Sequence, residues 1–442
     1  MVIRVVVGLL ALGMVVFVHE LGHFIAARLS GVTVETFSIG WGPVLFRKKR
    51  GPTEYRISAL PLGGYCGMKG EHAFREALDK GLEAIPAEAD GFYGAHPLKR
   101  VLIAFSGPFF NLLFAAAVFA VVSAVGYSYE TYDSRIIPAG LYEPEAPKAA
   151  LEAGLREGDR IVALDGQPVQ YFSDIQQYVG TNPDRRIEAI VERDGTTVTL
   201  YIVPELDTKT GTGKIGVYPY VPLVVGKVAP GSAAETSGIR PGDRIVSIDE
   251  TSVTNQAQFA MALSHKPEQA IVTVERGDLS VRLPIVLLYR GNGSVETGMA
   301  WKTVNVTIRG TGLLESARAG VSNVARTLAL TVRGIALLFR GVELSEAVSG
   351  PVRITMMIGE VAETSLTGVA ELLGVICVSL FLMNLLPIPI LDGGIILFSV
   401  LEMLKGKPLR PKTLYYVQFI GVGFILFVFA FALFGDIQYL LK

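Results

Sequence analysis

The stretch FVHELGHF, residues 17–24, places two histidines and a glutamate inside a run that is otherwise almost wholly apolar. Ionisable side chains inside a membrane-spanning helix cost about 2.5–3.5 kcal/mol each on insertion scales, so three within five residues need a compensating partner. The pattern HExxH sets His19 and His23 one helical turn apart, where both imidazoles face one metal ion, with Glu20 beside them. A bound divalent metal therefore explains the stretch better than three polar groups that only satisfy one another in a helix bundle.

The composition indicates a membrane protein with a soluble portion. Of the 442 residues, 50 % are hydrophobic and 18 % are charged, whereas an average soluble domain carries roughly 25 % charged residues. The net charge of −1 implies no basic face large enough to bind nucleic acid. The two cysteines, Cys66 and Cys377, lie far apart in the sequence, which excludes a disulfide framework and a CxxC metal site.

Four apolar stretches are long enough to cross a bilayer, whose core takes about 20 helical residues. They are residues 5–27, 101–125, 372–391 and 414–434. The first is predicted to be a retained span rather than a signal peptide, because its polar motif comes late and no small-x-small cleavage site follows.

The basic residues predict an orientation. Residues 28–100 carry 11 Lys or Arg, including RKKR at 47–50, and KGKPLRPK at 405–412 carries four more. The positive-inside rule then places both short loops in the cytoplasm and both termini outside. The long segment 126–366 is expected outside as well.

That segment contains an internal repeat. AGLREGDRIVALDGQPV at 153–169 aligns with SGIRPGDRIVSIDETSV at 237–253, with nine identities at a constant offset of 84. A turn that feeds an alternating strand, at so long a period, predicts two copies of one domain. The corner resembles the PDZ domain, which predicts two PDZ-like α+β domains at 126–218 and 219–308. Whether either copy binds a peptide is left open.

An amphipathic connector is expected at 309–366. Within 313–341, arginines recur every seven or eight residues on one face of an otherwise apolar helix; they are Arg318, Arg326, Arg333 and Arg340. Two placements remain open: a helix in the membrane interface, or a helix packed on the second PDZ-like domain.

Two histidines leave a catalytic zinc site short of one ligand, since such sites usually have three protein ligands and one open position. Asp392, in NLLPIPILDGG at 384–394, is the candidate. The prolines break the helix before it and the glycines allow close approach after it; such broken helices line buried, wet cavities. The alternative is that Asp392 only caps the next helix. At 1.5 Å per residue, His19 lies about 24 Å along the first span and Asp392 about 30 Å along the third, so both are expected in the cytoplasmic half.

Taken together, these features resemble the site-2 protease family of intramembrane zinc metalloproteases, in particular its bacterial regulator of sigma-E branch with tandem PDZ domains. HExxH lies in the first span, LDGG in the third, and the tandem insert between them. Further matching blocks are SIGWGP at 38–43, YRISALPLGGYCGM at 55–68, SGPFFN at 106–111 and SGPV at 349–352. One position departs from the family pattern, because Arg353 follows SGPV where glycine is usual.

The resemblance implies a polytopic α-helical membrane protein with four transmembrane helices, a β-rich loop that dips into the membrane, and two inserted extracytoplasmic PDZ-like domains. The catalytic membrane parts would be 1–125, with the loop at about 34–70, and 367–442. Within that loop, YRISALPL at 55–62 is expected to be an edge strand, which could take up an unfolded substrate as an added strand.

The resemblance also implies a role for Asn384, which matches the asparagine before the family's prolines. Its amide would hydrogen-bond a substrate carbonyl or the developing oxyanion, or else join two helices. Asn111 carries the same two alternatives and is left without a role.

The predicted activity is zinc-assisted hydrolysis of peptide bonds within the membrane, with His19, His23 and Asp392 on Zn²⁺ and Glu20 as general base and acid. The spacing alone does not select zinc among divalent ions. By resemblance, the substrates would be single-pass membrane proteins of the anti-sigma factor type and remnant signal peptides, cut after a first protease in a bacterial inner membrane. A non-catalytic PDZ receptor is the alternative; it would not need Glu20. A transporter would usually show inverted repeats, and we find none.

Overall fold

A computed structural model describes residues 2–289, 295–338 and 350–441. The chain divides into two compact units, residues 1–127 with 309–442, and residues 128–308. We call the first the membrane unit and the second the repeat unit, and describe each by itself.

Helices and strands are numbered in chain order. The helices are α1 (Val2–Leu29), α2 (Glu71–Asp79), α3 (Pro97–Val125), α4 (Ala149–Glu152), α5 (Phe172–Gly180), α6 (Ala233–Thr236), α7 (Gln256–Ala262), α8 (Leu313–Leu338), α9 (Pro351–Thr364), α10 (Leu366–Asn384), α11 (Asp392–Lys405) and α12 (Pro411–Leu441). The strands of the membrane unit and the first repeat are β1 (Val34–Arg50), β2 (Thr53–Met68), β3 (Gly126–Thr131), β4 (Ile136–Pro138), β5 (Arg160–Leu164), β6 (Gln167–Pro168), β7 (Ile187–Arg193), β8 (Thr196–Ile202), β9 (Glu205–Leu206), β10 (Gly213–Lys214) and β11 (Val217–Pro219). The remaining strands are β12 (Val225–Val228), β13 (Arg244–Ile248), β14 (Thr251–Ser252), β15 (Gln269–Arg276), β16 (Leu279–Val286), β17 (Leu288–Tyr289), β18 (Val295–Glu296), β19 (Met299–Trp301) and β20 (Val304–Arg309).

Within the described residues, four helices are long and apolar enough to cross a membrane: Ile3–Leu29, Pro97–Val125, Leu366–Asn384 and Pro411–Gln438. They correspond to the four predicted spans, with one difference. The third was expected to run to residue 391, but it ends at Asn384. Pro387 and Pro389 have no backbone N–H to continue the helical ladder, so the chain leaves the helix there and re-enters one at α11.

The loop between the first two spans is a folded-back β-sheet, and its strand order differs from the expectation. Residues 54–57 pair with 36–39 on one side and with 46–49 on the other, whereas 64–67 pair with 36–39 alone. The prediction that YRISALPL, residues 55–62, is an edge strand is therefore wrong for its paired part. The edges of this sheet are 46–49 and 64–67.

The physical reason is that β1 turns back on itself. Gly40 and Gly42 both have a positive φ, 86° and 84°, which glycine adopts without the penalty that a Cβ imposes. The turn lets the second half of β1 cover the outer side of residues 54–57. Period-two alternation cannot distinguish an edge strand from an inner one, so the sequence did not reveal it.

The core of the membrane unit lies around α3. Val15 of α1, Ala115 and Phe119 of α3, and Cys377 and Val378 of α10 form one buried apolar cluster. The cluster holds three helices from distant parts of the sequence together.

Helix α8 joins the same cluster through Val324. Ser316, Gly320 and Val324, four residues apart, are buried, and a Cβ on Gly320 would meet Cβ of Ala120 at 3.0 Å. This contact with α3 was not among the two placements left open for the arginine-bearing helix. Its arginines Arg318, Arg326 and Arg333 are exposed, and Arg340 lies outside the described residues.

A buried carboxylate fixes the start of α9. Asp436 of α12 is 2 % exposed, and its two oxygens accept the backbone N–H groups of Gly350 at 3.0 Å and Val352 at 2.9 Å. A carboxylate at this position satisfies orphan donors and complements the positive end of the helix. Sequence analysis did not single out Asp436.

The repeat unit contains two four-stranded antiparallel sheets of the same topology, in the orders β6-β5-β7-β8 and β14-β13-β15-β16. Each encloses its own buried apolar cluster. The recurring residues of the sequence repeat make equivalent contacts in the two sheets.

In the first repeat, Arg193 donates to the buried Asp159 at 2.8 Å and to the carbonyl of Gly154 at 2.7 Å. In the second, Arg276 donates to Asp243 at 2.8 Å and to the carbonyl of Gly238 at 2.7 Å. The G-D-R-I-V corner therefore recurs because its aspartate anchors an arginine that closes the turn.

Candidate metal centre

Side chains from α1 and α11 converge on one point in the membrane unit. His19 Nε2 lies 3.2 Å from Oδ2 of Asp392, and His23 Nε2 lies 3.3 Å from Oδ1 of the same carboxylate. The two Nε2 atoms are 3.2 Å apart. The structure thus brings together the three side chains that the sequence predicted as ligands.

These separations suit a tetrahedral metal ion. Ligand atoms placed tetrahedrally at about 2.0–2.1 Å from zinc lie about 3.3 Å from one another. The two Nε2 atoms match that spacing to each other, and each matches it to one oxygen of the Asp392 carboxylate. Each of the three side chains is at least 87 % buried. Among the described residues, this is the one group of histidine, cysteine and acidic side chains found with metal-binding spacing.

Helix α3 positions the ring of His23. Its Nδ1 lies 2.8 Å from the carbonyl oxygen of Ile103, which accepts the Nδ1–H and leaves Nε2 free as a ligand. Gly107 packs against the same ring, and a Cβ there would overlap Nε2. The glycine of SGPFFN is therefore needed for close approach.

The ring of His19 also contacts α3. Its Nδ1 lies 3.4 Å from Nδ2 of Asn111, a fully buried residue. Sequence analysis noted Asn111 but gave it no role. An asparagine in an apolar helix was the available signal, whereas its partner depended on how α1 and α3 pack.

Asp392 is the first residue of α11, and Leu391 is the N-cap. The alternative in which Asp392 serves only as a helix cap is therefore wrong: no side chain caps this helix, and the carboxylate points to the histidines instead. The preceding turn is tight, since Ile390 has a φ of 92°. A Cβ on Gly394 would lie 2.9 Å from Cα of Pro389, so only glycine fits.

Glu20 and Asn384 line the same cavity as the three ligand candidates, which has a volume of about 300 Å³. Tyr65 and Cys66 form another part of its wall. They belong to the edge 64–67 of the sheet, and a Cβ on Gly64 would lie 3.3 Å from Cγ of Glu20. An edge of the sheet therefore lies directly beside the glutamate.

An ion pair connects α11, which carries Asp392, to α3, which contacts both histidine rings. Arg100 of α3 and Glu402 of α11 lie 2.9 Å apart and are almost buried. Sequence analysis missed both residues, because isolated charges near helix ends are common and their pairing depends on tertiary packing.

Comparison with known proteins identifies the class. Residues 7–428 match the family described as Peptidase family M50. The match spans most of the chain, so the protein belongs to this family of membrane-embedded peptidases, and it is a zinc metalloprotease. The predicted membership in the site-2 protease family is thereby confirmed, and so are the zinc cofactor and the polytopic membrane character.

Three relatives illustrate the similarity. The chain is 44 % identical to a protein of Treponema pallidum (strain Nichols) named as a zinc metalloprotease, over 99 % of both chains. It is 31 % identical to the protease RseP of Yersinia pestis, over 97 % of both chains. A protein of Borreliella burgdorferi with a zinc metalloprotease name is 30 % identical over 98 % of both chains.

Proposed function

We propose that this zinc metalloprotease hydrolyses peptide bonds within the transmembrane segments of single-pass membrane proteins. The observation that carries the proposal is the meeting of His19, His23, Asp392 and Glu20 in one cavity between apolar helices. Because the three ligand candidates are largely buried, the substrate we propose is a chain that enters between the apolar helices. Soluble folded proteins do not fit that description.

His19, His23 and Asp392 would hold the zinc ion. Bound zinc supplies Lewis acidity, which activates water and polarises a carbonyl. Glu20 lies on the next position around α1, where its carboxylate takes a proton from the attacking water and returns one to the leaving amine. The burial of the site keeps bulk water away and strengthens each of these electrostatic effects.

The edge 64–67 supports a way of presenting the substrate. A transmembrane helix must unwind before its amides are accessible, and an unwound segment can pair with a free strand edge. Pairing there would place its backbone beside Glu20. Asn384, across the cavity, is proposed to hydrogen-bond the scissile carbonyl or the oxyanion.

The two repeats are proposed to be PDZ-like domains on the extracytoplasmic side of a bacterial inner membrane, with both termini on that side. A groove of about 640 Å³ lies between α5 and residues 212–219 of the first repeat, the kind of groove that takes an extended peptide between a helix and a strand. We propose that these domains exclude substrates with large outer domains and admit stumps left by a first cut, such as anti-sigma factors and remnant signal peptides.

The test is cleavage of a tagged single-pass model substrate by the purified protein in detergent. We expect cleavage within the transmembrane segment, loss of cleavage with a zinc chelator, and a loss of about 10²–10⁴-fold in Glu20→Gln, the usual range for a general base. Glu152→Gln, an exposed position on α4, is the matched control. Undiminished cleavage by Glu20→Gln would remove Glu20 from its proposed role as base, whereas no cleavage by the wild type would favour the non-catalytic PDZ receptor.

A further inference from the structure

Asn111 is a fully buried polar side chain in the middle of α3, with an exposed fraction of 0 %. Its Oδ1 has no hydrogen-bond partner among the described residues, although its Nδ2 lies 3.4 Å from Nδ1 of His19. A buried carbonyl oxygen without a partner loses its hydration and gains no hydrogen bond in return, which destabilises the protein. The hydrogen-bond acceptor of this amide, its Oδ1, is therefore unused.

The chemistry of His19 suggests what that acceptor is for. Its Nε2 faces His23 and Asp392 at 3.2 Å each, so Nε2 is the metal-facing atom. A neutral imidazole that binds metal through Nε2 carries its proton on Nδ1. The Nδ1–H of His19 needs a hydrogen-bond acceptor. The atom of Asn111 that lies 3.4 Å from it, Nδ2, is itself a donor. Rotation of the amide by 180° about its last torsion exchanges the two atoms and brings Oδ1 to Nδ1.

We propose that Asn111 is a positioning residue for the metal centre: in the zinc-loaded enzyme its Oδ1 accepts the Nδ1–H of His19. The bond fixes the tautomer and the ring plane of His19, as the carbonyl of Ile103 does for His23 at 2.8 Å. One helix, α3, then orients both imidazole ligands. The inference rests on the proposed metal site and adds a residue to it.

A purely structural role predicts something different. Polar side chains join membrane helices by hydrogen bonds, so Asn111 could serve only to hold α3 against α1. Its removal would then lower the stability of the apo-protein and leave metal affinity unchanged. A role in orienting His19 lowers metal affinity by roughly 10–100-fold, the usual effect of losing such a partner.

The experiment measures Co²⁺ affinity of the full-length protein in detergent by competition with a chelator, with the visible absorption of tetrahedral cobalt as the signal. Asn111→Leu and Asn111→Ala remove the acceptor, and Asn111→Asp keeps one. We expect the first two to bind cobalt roughly 10–100-fold more weakly than the wild type and Asn111→Asp to retain its affinity. Asn323→Leu, the same change on the half-buried face of α8, is the matched control.

Wild-type cobalt affinity in folded Asn111→Leu or Asn111→Ala would overturn the inference. A loss of cobalt affinity in Asn111→Asp as large as in those two variants would overturn it as well. The melting temperature of each apo-variant shows whether it folds, and the Ala variant replaces the Leu variant if the latter does not. His23→Ala distinguishes failure of the metal site from failure of the role of Asn111. Retained cobalt binding in His23→Ala would overturn the metal site itself. If His23→Ala loses cobalt affinity and Asn111→Ala does not, only the role of Asn111 is overturned.

Discussion

The guanidinium of Arg100 lies 2.9 Å from the carboxylate of Glu402, and both side chains are almost buried, with exposed fractions of 9 % and 15 %. The pair joins α11, which begins with Asp392, to α3, whose groups contact the rings of His19 and His23 on α1. The ion pair thus links two of the three helices around the proposed metal centre.

Removal of one partner of this pair should destabilise the protein strongly, because the other charge stays buried without compensation. We expect Glu402→Ala or Arg100→Met to cost about 3–5 kcal/mol, and the double variant Arg100→Met/Glu402→Met to cost less than either. Unfolding titrations in mixed micelles measure these free energies. Additive costs in the double variant would show that the two residues act independently.

The zinc content of two variants should show that Asp392 is a metal ligand and that Glu20 is not. Asp392→Ala removes one of the three proposed ligands, so we expect purified protein to lose most of its zinc, whereas Glu20→Gln should retain one zinc ion per chain. Elemental analysis against protein concentration measures both. Full zinc content in Asp392→Ala would remove that residue from the coordination sphere.

Gly107 should tolerate no side chain. A Cβ at this position overlaps the ring of His23, so Gly107→Ala must displace either the imidazole or α3. We expect metal affinity and proteolysis both to fall at least tenfold, as for other losses of support to a metal-binding histidine. Gly423→Ala, on α12 with open space around it, is the control and should behave as the wild type.

Asp436 should matter for stability although it lies apart from the proposed ligands. Asp436→Ala leaves the N–H groups of Gly350 and Val352 without their acceptor, and a lost helix cap costs about 0.5–2 kcal/mol. Asp436→Asn keeps one acceptor oxygen and should lose less. Thermal unfolding in detergent distinguishes the two, and an Ala variant as stable as the wild type would argue against the cap.

The second repeat should lose stability in acid through Asp243. The hydrogen bond from Arg276 lowers the pKa of the Asp243 carboxyl below its usual value. Its ionised form therefore stabilises the fold above the unfolded-state pKa of about 3.9, and this contribution disappears as pH falls through the lower folded-state pKa.

We expect Asp243→Asn to cost about 1.5–3 kcal/mol at pH 7, and the difference from the wild type to shrink as the pH falls below about 4. Fluorescence of Trp301, which packs against Phe259 in this repeat, follows unfolding in a Trp41→Phe background. Asp278→Asn, an exposed turn position, is the control. A difference that is independent of pH would show that the charge of Asp243 contributes nothing.

Several features of this protein were predictable because they depend on near neighbours in the chain. The four apolar stretches correspond to the four candidate spans, since length and hydropathy are local properties. HExxH sets His19 and His23 one turn apart through helical periodicity alone. The repeated G-D-R-I-V corner predicted two similar units, and the two sheets share one topology.

Other features depend on which face of one element meets another, and local periodicity does not encode that. The contact of Asn111 with His19, the pairing of Arg100 with Glu402, and the cap that Asp436 provides all join distant segments. The interior position of residues 54–57 followed from a turn in the neighbouring strand.

The sequence by itself determined that an apolar helix carries a metal-binding pattern, and it indicated Asp392 as the third ligand from the cost of a buried charge. Only the tertiary structure decided which groups orient those ligands and which strand edge lies beside Glu20. The reason is physical: residue spacing fixes geometry within one element, whereas the rotation and register between elements are set by the packing of the whole unit.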